Sequence, residues 1–331
     1  MLILNTPLKP KNIAIGIILL LIYIPGNATH ISILDGGTGR EVSKRGLPFK
    51  QPEWSAEILL SNNKNHLEAL RDIHFSFIES GADIITTNSY AIAPFHIGID
   101  RFLHLGQKLI NKSIDIAYEA KIKSNKVGIK IAGSIPPLFG SYRPDLFKKS
   151  EALELYPLVI NEFIKNKKVD CLLAETISSI EEADTIMFLI TSSKLKKDYW
   201  LSFTLDENTG HLRSGERVED IASLVAQYQQ KPKAILFNCS QPEIMQGAIQ
   251  KLANLNLDVR IGAYANLFEE KQNANPRANA VISNIRTLSI NQYMEYARSW
   301  IKAGATIVGG CCGVGPEYIK SLSNLKNIRH Q

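Results

Sequence analysis

The 331-residue sequence predicts a single α/β domain, a (β/α)8 TIM barrel, on three observations. Short β-branched runs alternate with longer amphipathic stretches along the chain. Eight such runs occur, each nearly continuously apolar, as parallel strands covered on both faces require. Two of the amphipathic stretches stop in Gly-Ala just before the next run, at Gly81-Ala82 and Gly304-Ala305, and glycine is the usual residue after a helix end.

Taken in order, the first strand is expected over residues 31–35, where Ile-Ser-Ile-Leu-Asp runs into a glycine pair. A helix over 66–80 leads through Gly81 to a second strand over 83–88. The third strand is read at 127–133, followed by a helix at 152–166 and a fourth strand at 170–175. Helix 181–192 precedes a fifth strand at 200–205, and helix 219–229 precedes a sixth at 234–238. The seventh strand is placed at 259–263, and helix 292–303 leads through Gly304 to the eighth at 306–310. A polar, Asn- and Ala-rich stretch at 269–284 reads as a long loop after strand seven. Eight units over residues 29–331 match a barrel of roughly 250 residues plus insertions. An open doubly wound sheet is the competing reading. Gly36-Gly37-Thr38-Gly39 follows strand one, however, without the third glycine of a dinucleotide-binding turn.

Composition narrows the function classes. Hydrophobic residues at 45% and charged residues at 21% describe a packed chain and exclude disorder. The net charge of +6 is spread along the sequence with no block of like charge, which argues against nucleic acid or a polybasic membrane contact. Four cysteines are too few for a disulfide scaffold. Residues 1–28 stand apart. Lys9 and Lys11 precede the uncharged run 13–24, and Pro-Gly-Asn-Ala follows. That is the layout of a secretory signal, or of an extension prepended by a wrongly assigned start. The run of twelve is too short for an unaided membrane span of about 20 residues.

Barrel chemistry belongs at the carboxyl ends of the strands. The residues expected there are Asp35, Thr87 and Asn88, Ser134, Glu175, Asp206, Cys239, Tyr264 to Asn266, and Cys311 with Cys312. Three of the four cysteines therefore converge on one rim. Three thiols with one open position is the ligand pattern of a catalytic zinc site. Adjacent strand residues face opposite ways, but Gly309, Gly310 and Gly313 let the chain turn so that both Cys311 and Cys312 can point inward. Buried core cysteines, a vicinal disulfide, or a bridge from Cys239 to one of the pair compete with that reading. Cys171, inside strand four, reads as packing. Asp35 and Glu175 are strand-end acids that can hold an ammonium group, act as acid and base, or bind metal; a lone one is often a cap. Tyr90, Phe139 and Tyr264 are candidate pocket walls or core.

Leu34-Asp35-Gly36-Gly37, Ile85 to Tyr90, Ala132 to Pro137, Leu173-Ala174-Glu175-Thr176, Phe237-Asn238-Cys239, Ala263 to Asn266 and Val308 to Gly313 stand in the order found in homocysteine S-methyltransferases. The sequence resembles that family from about His30 to Asn324, most specifically through Asn-Cys and Gly-Gly-Cys-Cys. The resemblance implies one Zn²⁺ per chain held by Cys239, Cys311 and Cys312, with the sulfur of homocysteine as fourth partner. It implies that Asp35 and Glu175 bind the amino group of homocysteine, with Gly36 and Thr87 lining that subsite. The implied reaction moves a methyl group from a sulfonium donor, S-methylmethionine or S-adenosylmethionine, to homocysteine, giving methionine. The chain ends soon after strand eight, so no cobalamin or folate module is expected. Thr176 stands where the betaine enzymes carry an aromatic residue, which disfavours betaine; selenocysteine remains a possible acceptor within the family. Free thiolates suit a reducing, cytoplasmic compartment. The signal-like start leaves open an exported, non-catalytic amino-acid- or zinc-binding barrel.

Overall fold

A computed structural model describes residues 30–269 and 284–326. The signal-like residues 1–28 and the interior of the expected loop at 269–284 lie outside the described residues. The elements are β1 (Ser32–Ile33), α1 (Thr38–Lys44), α2 (Ala56–Leu60), α3 (Lys64–Glu79), β2 (Ile84–Thr86), α4 (Pro94–Ile97) and α5 (Ile99–Ser124). Then follow β3 (Lys130–Ile135), α6 (Lys149–Lys165), β4 (Cys171–Ile177), α7 (Ile180–Ser192), β5 (Asp198–Phe203) and α8 (Asp220–Ala226). The last are β6 (Ala234–Asn238), α9 (Pro242–Asn254), β7 (Arg260–Ala265), α10 (Ile290–Lys302), β8 (Ile307–Gly310) and α11 (Pro316–Leu322).

All eight strands are parallel and pair in the order β1-β8-β7-β6-β5-β4-β3-β2. A bridge between Leu34 and Ile84 joins the two ends of that order, with Asp35 N–H donating to the Ile84 carbonyl at 3.0 Å. The barrel is thereby closed, and both sheet edges disappear. Leu34, Leu173, Trp200, Leu236 and Ile307 fill the interior, and Cys171 packs among them as the sequence suggests. A second, larger apolar layer lies between strands and helices.

Local chemistry sets the helix ends. Asn63 accepts from the N–H groups of Asn65 and His66 at the start of α3, and Ser289 with Gln292 forms a capping box at α10. Gly81 and Gly304 take φ values of +100° and +120°, which confirms both predicted stops. Two of the departures from expectation lie side by side. The third strand begins at Lys130 rather than 127, because α5 runs on to Ser124, Asn125 takes a left-handed conformation and Val127 is fully exposed. The helix α5 itself is absent from the expected set; Gly106, packed against Phe102, interrupts its apolar stripe. Among the described residues no helix is long and apolar enough to cross a membrane.

Candidate metal and amino-acid site

One pocket opens at the carboxyl end of the barrel, and Asp35, Gly36, Thr87, Glu175, Cys239, Cys311 and Cys312 all line it. The sulfur atoms of Cys239, Cys311 and Cys312 lie within 4.8 Å of one another, and all four cysteines are free. Four ligands at about 2.3 Å around zinc would set their sulfurs about 3.8 Å apart, so the cluster fits a single ion. The Cys311 thiol is pushed well above its ordinary range by hydrogen bonds to Cys239 and Cys312, then by burial. Three crowded thiols cannot all ionise without a cation among them.

The backbone explains how two adjacent cysteines share one face. After β8, the Cys311 N–H donates to the Ala265 carbonyl at 2.9 Å and the Cys312 carbonyl accepts from Leu267 N–H at 2.9 Å. The chain then turns through Gly313 at φ +89°. Cys239 itself sits in the left-handed region at φ +50°. The glycine pair after Asp35 serves close approach. A Cβ on Gly36 would lie 2.2 Å from the Val314 carbonyl oxygen, and one on Gly37 would lie 2.5 Å from that of Cys311.

Asp35 is almost fully buried, and its carboxylate accepts the Thr86 N–H at 2.8 Å and the Thr86 hydroxyl at 3.1 Å. Burial pushes its pKa well up; the Thr86 hydrogen bonds oppose this, and the nearby Glu175 adds to it. Glu175 stands on a register irregularity between Ala174 and Ile177, where Thr176 has φ +62°. Such a bulge at a barrel rim re-aims a side chain. The Glu175 carboxylate takes hydrogen bonds from Ser134 Oγ and from Tyr264 Oη, the latter at 3.2 Å. Burial raises its pKa to about 7 against those hydrogen bonds, with Cys239 contributing. Two buried acids on one pocket, with Glu175 adding to the rise of Asp35, are an arrangement that can take an ammonium group, whose charge would favour both carboxylates.

Thr87 lines the pocket, its hydroxyl 2.8 Å from Ser89 Oγ and accepting the Ser134 N–H at 3.0 Å, while its neighbour Thr86 is the residue that meets Asp35. Several other positions differ from the sequence reading. Asp206 is outside the site, where its carboxylate accepts from Asn208 and Thr209 N–H within a turn. Phe139 stacks edge-on with Phe147 rather than lining the pocket. Asn266 is buried, its Oδ1 accepting the Phe268 N–H at 3.2 Å. Tyr90 and Tyr264 do line the pocket. The sequence reading missed Tyr142, which hydrogen-bonds Cys239 and has φ +62°, and the aromatic group Phe49, Trp54 and Phe268. Phe49 and Trp54 lie in a loop after strand one, where functional loops of barrels are expected.

Known proteins share this barrel. A family model described as Homocysteine S-methyltransferase matches residues 32–325. The chain is 28% identical over 307 residues to the homocysteine S-methyltransferase of Escherichia coli, covering 88% of this chain and 94% of that one. It is 29% identical to homocysteine S-methyltransferase 3 of Zea mays, with 89% and 90% covered. Selenocysteine Se-methyltransferase of Brassica oleracea is 26% identical, with 88% and 87% covered. The crystal structure of the E. coli homocysteine methyltransferase MmuM in its metallated form superposes with a TM-score of 0.73 at 26% identity, covering 89% of this chain and 96% of that one. On the match across nearly the whole barrel, this chain belongs to the homocysteine S-methyltransferase family and is a methyltransferase.

Proposed function

We propose that this enzyme methylates L-homocysteine from a sulfonium donor, S-methylmethionine first and S-adenosylmethionine second, with one zinc ion held by Cys239, Cys311 and Cys312. The observation that carries the reading is the three-thiol cluster sharing one pocket with the two buried acids Asp35 and Glu175. When bound, zinc would keep the acceptor sulfur ionised at neutral pH, so that no separate base is needed.

The chain's own residues supply binding and alignment. Asp35 and Glu175 take the ammonium group of homocysteine, and Thr86 and Tyr264 hold those two acids in place. The backbone beside Gly36 and the Thr87 region line the same subsite. The acceptor thiol loses its proton to solvent on binding. Its sulfur then attacks the donor methyl carbon; the new S–C bond forms as the old one breaks, and the donor leaves as a neutral thioether. Charge is lost along this path, so a water-poor, aromatic wall favours it, and fixed alignment does the rest. With S-methylmethionine, both products are methionine.

The test is zinc content of protein purified under reductant, followed by methionine formation from homocysteine with each sulfonium donor. About one zinc per chain and donor-dependent methionine support the reading. A zinc-loaded chain with no transfer from any sulfonium overturns it. Selenocysteine is tested as a competing acceptor, because relatives named for selenocysteine methylation match at 26% identity.

A further inference from the structure

The net charge of +6 forms no block along the sequence, but the barrel gathers lysines at one end. Because all eight strands are parallel, every link from a helix to the next strand lies at the amino-terminal end, opposite the pocket. Four neighbouring links, those leading into β3, β4, β5 and β6, carry the charge. Lys130, Lys167, Lys194, Lys196, Lys231 and Lys233 are exposed there, and none makes an ion pair among the described residues. Other lysines of this face are already matched, as Lys121 is with Asp170 at 3.4 Å and Lys168 with Asp115 at 2.6 Å. The exposed Asp198 and Asp258 offset part of the remainder. The same end presents apolar side chains to water: Ile122 and Leu195 are more than half exposed, and Val127 fully so. Each has lysine beside it in the chain, as Lys121-Ile122-Lys123, Lys126-Val127 and Lys194-Leu195-Lys196.

A bilayer surface takes both kinds of group: ammonium groups settle at anionic headgroups, and apolar tips enter the acyl boundary between them. The entry of the chain points the same way. His30 leads into β1 at this end, so the uncharged apolar run 13–24 is joined to it by residues 25–29. Asp83 N–H donates to the Ile33 carbonyl and Lys130 N–H to the Asp83 carbonyl, each at 2.8 Å, which sets β1 two hydrogen-bond steps from Lys130. Nucleic acid fits less well, because the four links hold no arginine, the residue that most often reads phosphate and base edges. We propose that the amino-terminal face of the barrel is a docking surface for an anionic lipid bilayer, with the pocket turned to water. The proposal does not depend on which donor the pocket uses.

The experiment floats the full chain with vesicles of phosphatidylcholine, alone or with about 30 mol% phosphatidylglycerol, at about 0.1 M and about 0.5 M salt. Phosphatidylcholine alone reports the apolar contacts, and the difference between the two vesicles reports the lysines. Wild type is expected to favour the anionic vesicles by about 10-fold or more at low salt, since each lysine near such a surface is worth about fivefold. High salt should remove most of that preference. Lys194→Glu, Lys196→Glu, Lys231→Glu and Lys233→Glu, combined in one chain, should abolish it while binding to phosphatidylcholine alone stays. Val127→Ser with Leu195→Ser should instead weaken binding to both vesicles. Thermal melting screens each variant, and Gln at the same four positions carries the comparison if Glu unfolds the chain. Equal binding of wild type to the two vesicles overturns the proposal, as does a preference that survives in the Glu or Gln chain. Release from anionic vesicles by a short DNA duplex at matched phosphate concentration assigns the face to nucleic acid and overturns it too.

Discussion

The carboxamide of Asn238 grips Thr176 at two points: its Oδ1 accepts the Thr176 N–H and its Nδ2 donates to the Thr176 hydroxyl, each at 2.9 Å. The same Oδ1 accepts from Ser202 Oγ at 2.8 Å. Thr176 follows Glu175 on the bulge, and Asn238 precedes Cys239. One fully buried side chain therefore ties the strand end that carries Glu175 to the strand end that carries Cys239. This gives a physical reason for Asn before Cys at the end of strand six: only a carboxamide offers an acceptor and a donor in that fork.

Asn238→Ala should leave the buried Thr176 N–H and hydroxyl and the Ser202 hydroxyl without their partner. Loss of such a network costs about 2–4 kcal/mol. Urea unfolding should report that loss, and homocysteine KM should rise because Glu175 loses its support. Unchanged stability and KM would mean that the bulge holds itself.

Cys239→Ser should lose most bound metal and nearly all methyl transfer, since it replaces one of three thiol ligands by a poorer one. Metal content per chain and single-turnover methionine formation measure the two effects separately. Full activity in this variant would take Cys239 out of the site.

Glu175→Gln should weaken homocysteine binding by about 10- to 100-fold while zinc stays bound, because a charge-assisted contact becomes a neutral one. Isothermal titration of homocysteine into the zinc-loaded variant checks it. Loss of zinc instead would make Glu175 a support of the metal cluster.

Acid sensitivity has a local source outside the site. His74 on α3 is fully buried, neither ring nitrogen finds a hydrogen-bond partner among the described residues, and burial drives its pKa down to about 4. An unfolded chain takes up this proton near pH 6.5. Stability from His74 is therefore full above pH 6.5 and falls as pH drops toward 4, by up to roughly 3 kcal/mol. His74→Phe keeps the ring volume and removes the titration. Its unfolding free energy should fall less steeply between pH 6.5 and 4 than that of wild type, and equal slopes would contradict the assignment. His96, also lowered to about 4 chiefly by burial, leaves a residual slope in both proteins.

The barrel and the residue types on its rim were legible because both are written locally, as apolar runs and as the chemistry that ends them. What each side chain meets is not local. Thr86 rather than Thr87 reaches Asp35 because the closing bridge pairs Leu34 with Ile84, a register fixed across 50 residues of sequence. Tyr142 was invisible for the same reason: nothing in the loop after β3 announces that its hydroxyl ends on Cys239. Asp206 misled because an acid after a strand looks alike whether it faces a pocket or holds its own turn.

Gly37 separates space from backbone freedom. Its φ of −76° suits any residue, yet an added Cβ would stand 2.5 Å from the Cys311 carbonyl oxygen and 3.1 Å from the Cys312 Cα. Neither obstacle is a flexible side-chain end, so the segment carrying both cysteines must shift. Gly39, two residues on, has room: its added Cβ would meet Phe49 at 3.5 Å, an ordinary contact. Gly37→Ala should therefore lower zinc retention and methyl transfer while the fold persists, whereas Gly39→Ala should keep both and gain some helix stability, about 0.5–1 kcal/mol. Zinc exchange against a chelator, run beside thermal melting, measures both variants. If Gly37→Ala holds zinc as tightly as Gly39→Ala, the approach of the two segments is not what sets the thiol cluster.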